Sequence, residues 1–153
     1  MDTLSAKLLA IVNAAEAGLG EISEQEGRAP LLAGGWSRKQ VLGHLIDSAC
    51  NNHQRFVRAV LEGTLDFPGY NQNAWESLQA PQDVPWHILV ALWTNDNRYL
   101  AHVIGRIPAA KLDAVCRIGS GDPVTLRFLV EDYLQHLIHH LEQIGCCAAG
   151  ART

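Results

Sequence analysis

Hydrophobic positions recur with the period of an amphipathic helix in four separate stretches of the chain. These stretches cover about residues 4–22, 38–62, 84–104 and 123–144, and each carries one apolar stripe and one polar face. Four amphipathic helices of about 20 residues can bury their stripes against one another. The pattern therefore predicts an all-α fold, a four-helix bundle.

Local signals place the ends of these helices. Ser37, followed three residues later by Gln40, forms a capping box at the start of the second helix, and Gly63 is typical of its end. Asp122 is the expected cap of the fourth helix, with Pro123 at its first position. The same signals leave long connections on both sides of the third helix.

The connections cover about residues 64–82 and 105–122. Connections longer than about 12–15 residues without regular structure are often functional, so the first is expected to cover a site. Its aromatic residues Tyr70 and Trp75 are predicted either to plug the end of the bundle or to line the mouth of a pocket. We interpret residues 1–150 as a single domain.

Composition narrows the class of protein. The 153 residues are 48% hydrophobic and 18% charged, which is typical of a globular domain. The net charge of -4 gives no basic surface for a nucleic acid. No apolar run reaches the roughly 20 residues that cross a membrane, and the N-terminus lacks a signal peptide. We therefore expect a cytoplasmic protein with neither a nucleic acid nor a membrane as partner.

The four cysteines lack the CxxC spacing of a structural zinc site, and in a reducing compartment they would remain thiols. They are Cys50, Cys116, Cys146 and Cys147. We interpret Cys50 as a small buried residue of the second helix.

Three histidines carry the candidate chemistry. His136 and His140 are four residues apart in the apolar stripe of the fourth helix, so their rings share one face, about 5–6 Å apart at Cβ. His44 lies beside the inner stripe of the second helix, at a similar expected depth. Three neutral imidazoles can hold one divalent metal and leave positions for water or substrate. The alternative is a set of hydrogen-bonded core histidines, and residue chemistry alone leaves both hypotheses open.

Other polar residues near the predicted stripes have less defined roles. Asp47 and Asn51 lie one and two turns after His44, where they can support a metal ligand or a substrate. Asp96 places a carboxylate in the apolar stripe of the third helix, and it is expected either to orient a histidine or to pair with Arg98 or Arg106. We expect His139 on the flank of its helix, and the remaining histidines are interpreted as surface residues. These are His53, His87 and His102.

Four segments, in this order, resemble the DinB-like family of metal-binding four-helix bundles. They cover residues 36–48 (WSRKQVLGHLIDS), 52–56 (NHQRF), 68–75 (PGYNQNAW) and 130–144 (VEDYLQHLIHHLEQI). The resemblance implies a left-handed bundle with a long crossover, often dimeric. It also implies that one histidine of the second helix and an HxxxH pair of the fourth hold zinc or nickel, and these positions match His44, His136 and His140.

The family includes proteins described as metal-dependent hydrolases, thiol S-transferases that use bacillithiol or mycothiol, and an isomerase dependent on mycothiol. The resemblance therefore implies a metal-dependent enzyme that activates a low-molecular-weight thiol or water against a small-molecule substrate. No catalytic residue and no organic cofactor site is assigned. Two other hypotheses stay open: a non-catalytic bundle that binds metal or a small ligand, and a structural homodimer with core histidines.

Overall fold

The computed structural model describes residues 1–146, which form six α-helices. These are α1 (Asp2–Glu21), α2 (Glu24–Arg28), α3 (Arg38–Glu62), α4 (Gln72–Gln79), α5 (Trp86–Gly105) and α6 (Leu126–Ile144). The four long helices pack in a ring, in which α1 and α3 each contact both α5 and α6. The predicted four-helix bundle is confirmed. No described helix is long and apolar enough to span a membrane. Cys147 and the last residues of the predicted domain lie outside the described residues.

The capping box of α3 forms as its sequence predicts. The Ser37 hydroxyl accepts the Gln40 N–H, and the Gln40 side chain accepts the Ser37 N–H at 2.9 Å. Gly63 ends α3 with a φ of 80°, a left-handed conformation that glycine adopts without strain.

The expected start of the fourth helix is wrong. Thr125, not Asp122, caps α6, and its Oγ1 accepts the Phe128 N–H at 3.2 Å. The residues directly after Pro123 form a short strand instead of a first helical turn.

The long connections contain regular structure that helical periodicity does not predict. Strands β1 (Thr64–Phe67), β2 (Val115–Ile118) and β3 (Val124–Thr125) form one small sheet in the order β1-β2-β3. β1 pairs in parallel with β2, and β2 pairs antiparallel with β3. The central pair Leu65 and Cys116 is buried, so the sheet packs on the core. The two connections are thereby tied to each other.

A buried lysine joins three elements at one end of the bundle. Lys39 has no exposed surface, and its ammonium group donates to the Val84 carbonyl at 2.5 Å and to the Gln82 carbonyl at 3.3 Å. It also pairs with the half-exposed carboxylate of Glu24. The hydrogen bond from Lys39 is the main reason that the pKa of Glu24 falls to about 2. These contacts hold α2 and the start of α5 against α3.

The interpretation of Cys50 is wrong, and one of the alternatives for Asp96, a pairing with Arg98, is excluded. Cys50 is exposed, because it lies on the outer face of α3 instead of the core face. Arg98 does not pair with Asp96, because its guanidinium forms a salt bridge of 2.7 Å with Glu16 on α1.

Gly43→Ala is expected to destabilise the protein by about 1–2 kcal/mol. A Cβ at this position would lie 2.9 Å from Cβ of Pro81, which is closer than packed carbon atoms tolerate. Alanine would contribute up to about 1 kcal/mol of helix propensity, but the clash outweighs it. Urea unfolding measures the difference. Gly20→Ala is the control, because nothing lies within 4 Å of its added Cβ, and it should be neutral or stabilising. Equal effects of both substitutions would contradict the predicted clash.

Candidate metal centre

The packing of α3 against α6 brings the three predicted histidines together. His44 projects from α3, and His136 and His140 project from α6. One nitrogen from each ring can be chosen so that all three lie within 4.8 Å of one another. His44 is buried, and the two histidines of α6 are partly buried. The structure thus forms a three-histidine cluster in the bundle wall.

A contact at the end of the helix pair sets this alignment. Arg38, the first residue of α3, donates from Nε to the Ile144 carbonyl at the end of α6, at 2.9 Å. The two helices run antiparallel, since Ser48 lies 3.5 Å from Nδ1 of His136 further along the pair. With a rise of about 1.5 Å per residue, the histidines of the two helices come level between these contacts.

The nitrogen spacing fits a metal ion. Nε2 of His44 lies 3.1 Å from Nε2 of His136. Two imidazole nitrogens at about 2.0–2.1 Å from one zinc ion are separated by about 2.9–3.4 Å in tetrahedral or octahedral geometry. The ring of His140 completes the cluster, with its centroid 4.9 Å from that of His44 and 4.5 Å from that of His136. The donor set therefore suits a divalent cation such as zinc or nickel.

Gln143 orients the third histidine. Its Oε1 atom lies 2.8 Å from Nδ1 of His140, and an amide oxygen can only accept, so Nδ1 carries the proton. Nε2 of His140 is then unprotonated, and its lone pair is free to bind a metal ion. The Gln143 amide nitrogen contacts Nε2 of His139 at 3.1 Å, and His139 is exposed, which fits its expected place on the flank of the helix.

All three rings favour the neutral form. Burial lowers the pKa of His44 to about 4, and the neighbouring His140 adds to this effect. Burial, with the other histidines nearby, also lowers the pKa of His136 to about 4. The pKa of His140 is lowered by burial, against an opposing effect of Gln143. Neutral imidazole is the form that binds a metal, so the cluster is ready to do so at neutral pH.

A contact of 3.1 Å between two ring nitrogens also fits a hydrogen bond between neutral histidines. In that alternative one Nε2 donates to the other. Only one ring N–H would then donate a hydrogen bond to another ring of the cluster. Nδ1 of His44 is a buried atom without a hydrogen-bond partner among the described residues in both alternatives.

The cleft beside His140 has a volume of about 750 Å³. Both apolar and polar residues line it. The residues that line it with His140 are Leu31, Leu32, Gly35, Trp36, Arg38, Val41, Gln72, Asn73 and Gln143. Gln72 and Asn73 belong to the first long connection, so this connection lies over the cleft.

The other predicted polar residues have defined places. Tyr70 lines a smaller cavity next to His136, and Trp75 packs on the ring of Tyr70 at 4.8 Å between centroids. Asp47 is buried and accepts from the side chain of Gln79 at 2.9 Å. Asn51 donates to the backbone carbonyl of Asp47. The contacts of Asp47 and Asn51 are therefore within α3 and with α4.

Sequence reasoning missed three residues of this region, which are Trp36, Arg38 and Gln143. The spacing of three residues between His140 and Gln143 is a signal for a side-chain contact on one helix face. The centroid of the Trp36 ring lies 5.8 Å from that of the His44 ring. Trp36 directly precedes the capping box in the sequence, and it also lines the cleft.

Sequence comparison identifies related chains. A family model for the DinB superfamily matches residues 9–144. A Bacillus licheniformis protein named as a proposed metal-dependent hydrolase is 26% identical over 125 residues, which cover 81% of this chain and 71% of that protein. A Bacillus cereus protein with a similar name is 27% identical over 101 residues, or 62% of this chain. The match spans 58% of that relative, less than two thirds of its length.

Two solved structures share the fold. One is YfiT from Bacillus subtilis, described as "a probable metal-dependent hydrolase with an unusual four-helix bundle topology". It matches with a TM-score of 0.85 and 21% identity over 94% of this chain and 83% of its own. The other is a mycothiol-dependent maleylpyruvate isomerase, with a TM-score of 0.72 and 15% identity over 93% of this chain and 60% of its own.

Proposed function

The chain belongs to the DinB superfamily, and from that premise we propose that His44, His136 and His140 hold one divalent metal ion in the active site of an enzyme. The observation that carries the proposal is the convergence of three neutral imidazoles beside an open cleft of about 750 Å³. Zinc and nickel are the proposed ions, because both accept imidazole ligands. Gln143 is proposed to hold His140 in the tautomer that binds.

The proposed chemistry is the activation of a small nucleophile. A divalent metal lowers the pKa of a coordinated water or thiol, so that either can react at neutral pH. Three protein ligands leave room for such a nucleophile and for substrate. Hydrolysis is the reaction that the names of the two Bacillus relatives support.

Thiol transfer is a second candidate, and the size of the cleft favours it. A volume of about 750 Å³ is far larger than one water needs, and it suits a small molecule. Leu31, Leu32 and Trp36 line the cleft with apolar side chains, and Arg38 adds a positive charge. A low-molecular-weight thiol with polar and apolar parts is the proposed occupant.

Turnover by the metallated full-length protein tests the proposal. We expect zinc- or nickel-loaded protein either to hydrolyse members of an ester and amide panel or to join a low-molecular-weight thiol to an electrophile such as monobromobimane. The activity should disappear with a chelator and return with the metal. His87→Ala is the control, because His87 is exposed and lies outside the cluster. Fully metallated protein without turnover in both panels would contradict an enzyme and favour a binding module.

A further inference from the structure

A second cavity lies on the His136 side of the cluster. Its volume is about 150 Å³, enough for about five waters or for one small polar group of a ligand. Polar side chains line it, and these include Ser48, Asn52, Arg55, Tyr70, Asp132 and His136. The cavity therefore joins the histidine cluster to the guanidinium of Arg55.

Arg55 is a half-buried cation that forms no salt bridge within residues 1–146. No carboxylate among the described residues forms a salt bridge with it, although salt bridges do form elsewhere in that part of the chain. Its Nε atom is buried and has no hydrogen-bond partner there. One weak contact of 3.4 Å joins Nη1 to Oδ1 of Asn52. A guanidinium has five N–H donors and is costly to bury unpaired, so this one is poised for an anion.

Two aromatic residues, Phe67 and Tyr70, lie near the guanidinium of Arg55. Cζ of Arg55 lies 5.5 Å from the centroid of the Phe67 ring, which supports the cation from one side. Burial raises the pKa of the Tyr70 phenol, so Tyr70 stays protonated and can donate a hydrogen bond into the cavity.

The sheet fixes the loop that carries Tyr70. The Gly119 N–H donates to the Phe67 carbonyl at 2.8 Å, and Gly119 has a φ of 56°. A Cβ at Gly119 would lie 3.3 Å from the backbone nitrogen of Gly69, so glycine permits this close approach. The second connection thereby holds Tyr70 near Arg55.

We propose that Arg55 and Tyr70 form an anion subsite that takes the carboxylate of a small substrate, next to the histidine cluster. A planar carboxylate matches the paired donors of a guanidinium. Asp132 lines the same cavity, and its negative charge favours an anion with one charge over a phosphate dianion. As a substrate subsite this rests on the proposed function, but anion binding itself needs neither turnover nor a metal.

An NMR titration of the ¹⁵N-labelled full-length protein tests the subsite, with acetate as the probe. We expect acetate to shift the Arg55 Nε–Hε signal and the Tyr70 backbone amide, and acetamide to leave both unchanged. Arg55→Gln should weaken acetate binding about tenfold or more, as expected for the loss of a charged hydrogen-bond partner. Arg58→Gln is the matched control, because Arg58 is exposed one turn along α3 and pairs with Glu62, so its effect should stay within about twofold.

Both zinc-loaded and metal-free protein are titrated, since acetate can also bind a metal directly. Tyr70→Phe should weaken binding about threefold and provides a second variant if Arg55→Gln does not fold. Equal acetate affinity in wild type and Arg55→Gln, equal shifts by acetamide, or tighter binding of inorganic phosphate than of acetate would each overturn the proposal. Such a failure is distinct from a failure of the proposed function, which is read from metal-dependent turnover.

Discussion

His44→Ala is expected to lower the affinity of the protein for zinc or nickel by about 100-fold or more. His44 is the member of the cluster that α3 contributes, so its loss leaves two ligands on a single helix. A site with two imidazoles has one fewer bond and no longer joins two helices. The effect should exceed that of removing Gln143, which orients a ligand without binding, and Gln143→Ala is expected to cost about tenfold.

Elemental analysis and competition with a chelator of known affinity measure these losses. His87→Ala is again the control and should retain one equivalent of metal. A full equivalent of tightly held metal in His44→Ala would contradict the proposed ligand set. Wild-type protein that purifies with far less than one equivalent, and whose melting does not change on chelation, would support the hydrogen-bonded histidine hypothesis instead.

Lys39→Met is expected to destabilise the protein by about 2–4 kcal/mol. Methionine fills a similar length of the buried channel, so the main loss is the ammonium group. The Val84 and Gln82 carbonyls then lose a buried donor, and Glu24 loses one of its two basic partners. The cost comes mainly from the two backbone carbonyls, which lose the donor that reaches them from a fully buried side chain, whereas the half-exposed carboxylate of Glu24 can be hydrated.

Urea unfolding compares Lys39→Met with Arg28→Gln. Arg28 is the other basic partner of Glu24, and its side chain is about half exposed at 51%, so its loss should cost less than about 1 kcal/mol. If Lys39→Met lowered the free energy of unfolding by no more than about 1 kcal/mol, the prediction would be contradicted. The pKa of Glu24 is lowered to about 2, so this pairing stabilises the wild type fully above pH 4.5. The gap between variant and wild type should therefore narrow as the pH falls from 4.5 through 2.

The helices could be predicted because their signals are local. The capping box at Ser37, the glycine at the end of α3 and the apolar stripes all act within a few residues of one another. The sheet could not be predicted in this way, since β1 and β2 are short and pair across the whole of α5. Thr125 likewise became the cap of α6 because the preceding residues are engaged in β3, a tertiary constraint that overrides the signal of Asp122 and Pro123.

The histidine cluster could be predicted from local sequence signals, whereas the anion subsite in the cavity beside it could not. The spacing of four residues within an apolar stripe singles out His136 and His140 in the sequence, and His44 joins them through its place on the second helix. The distinctive property of Arg55 is the absence of a carboxylate salt bridge within the described residues, which depends on every side chain folded around it. A sequence shows the arginine but not whether a salt bridge forms with it.

The division of the histidines between α3 and α6 has a consequence for biosynthesis. His136 follows His44 by 92 residues, so the ribosome has made α3 long before the remaining histidines exist. At about 5–20 residues per second, His44 waits roughly 5–20 s for its neighbours. Metal capture at the proposed site therefore has to follow the synthesis of α6, and until α6 emerges α3 is without one of the two long helices that pack against it.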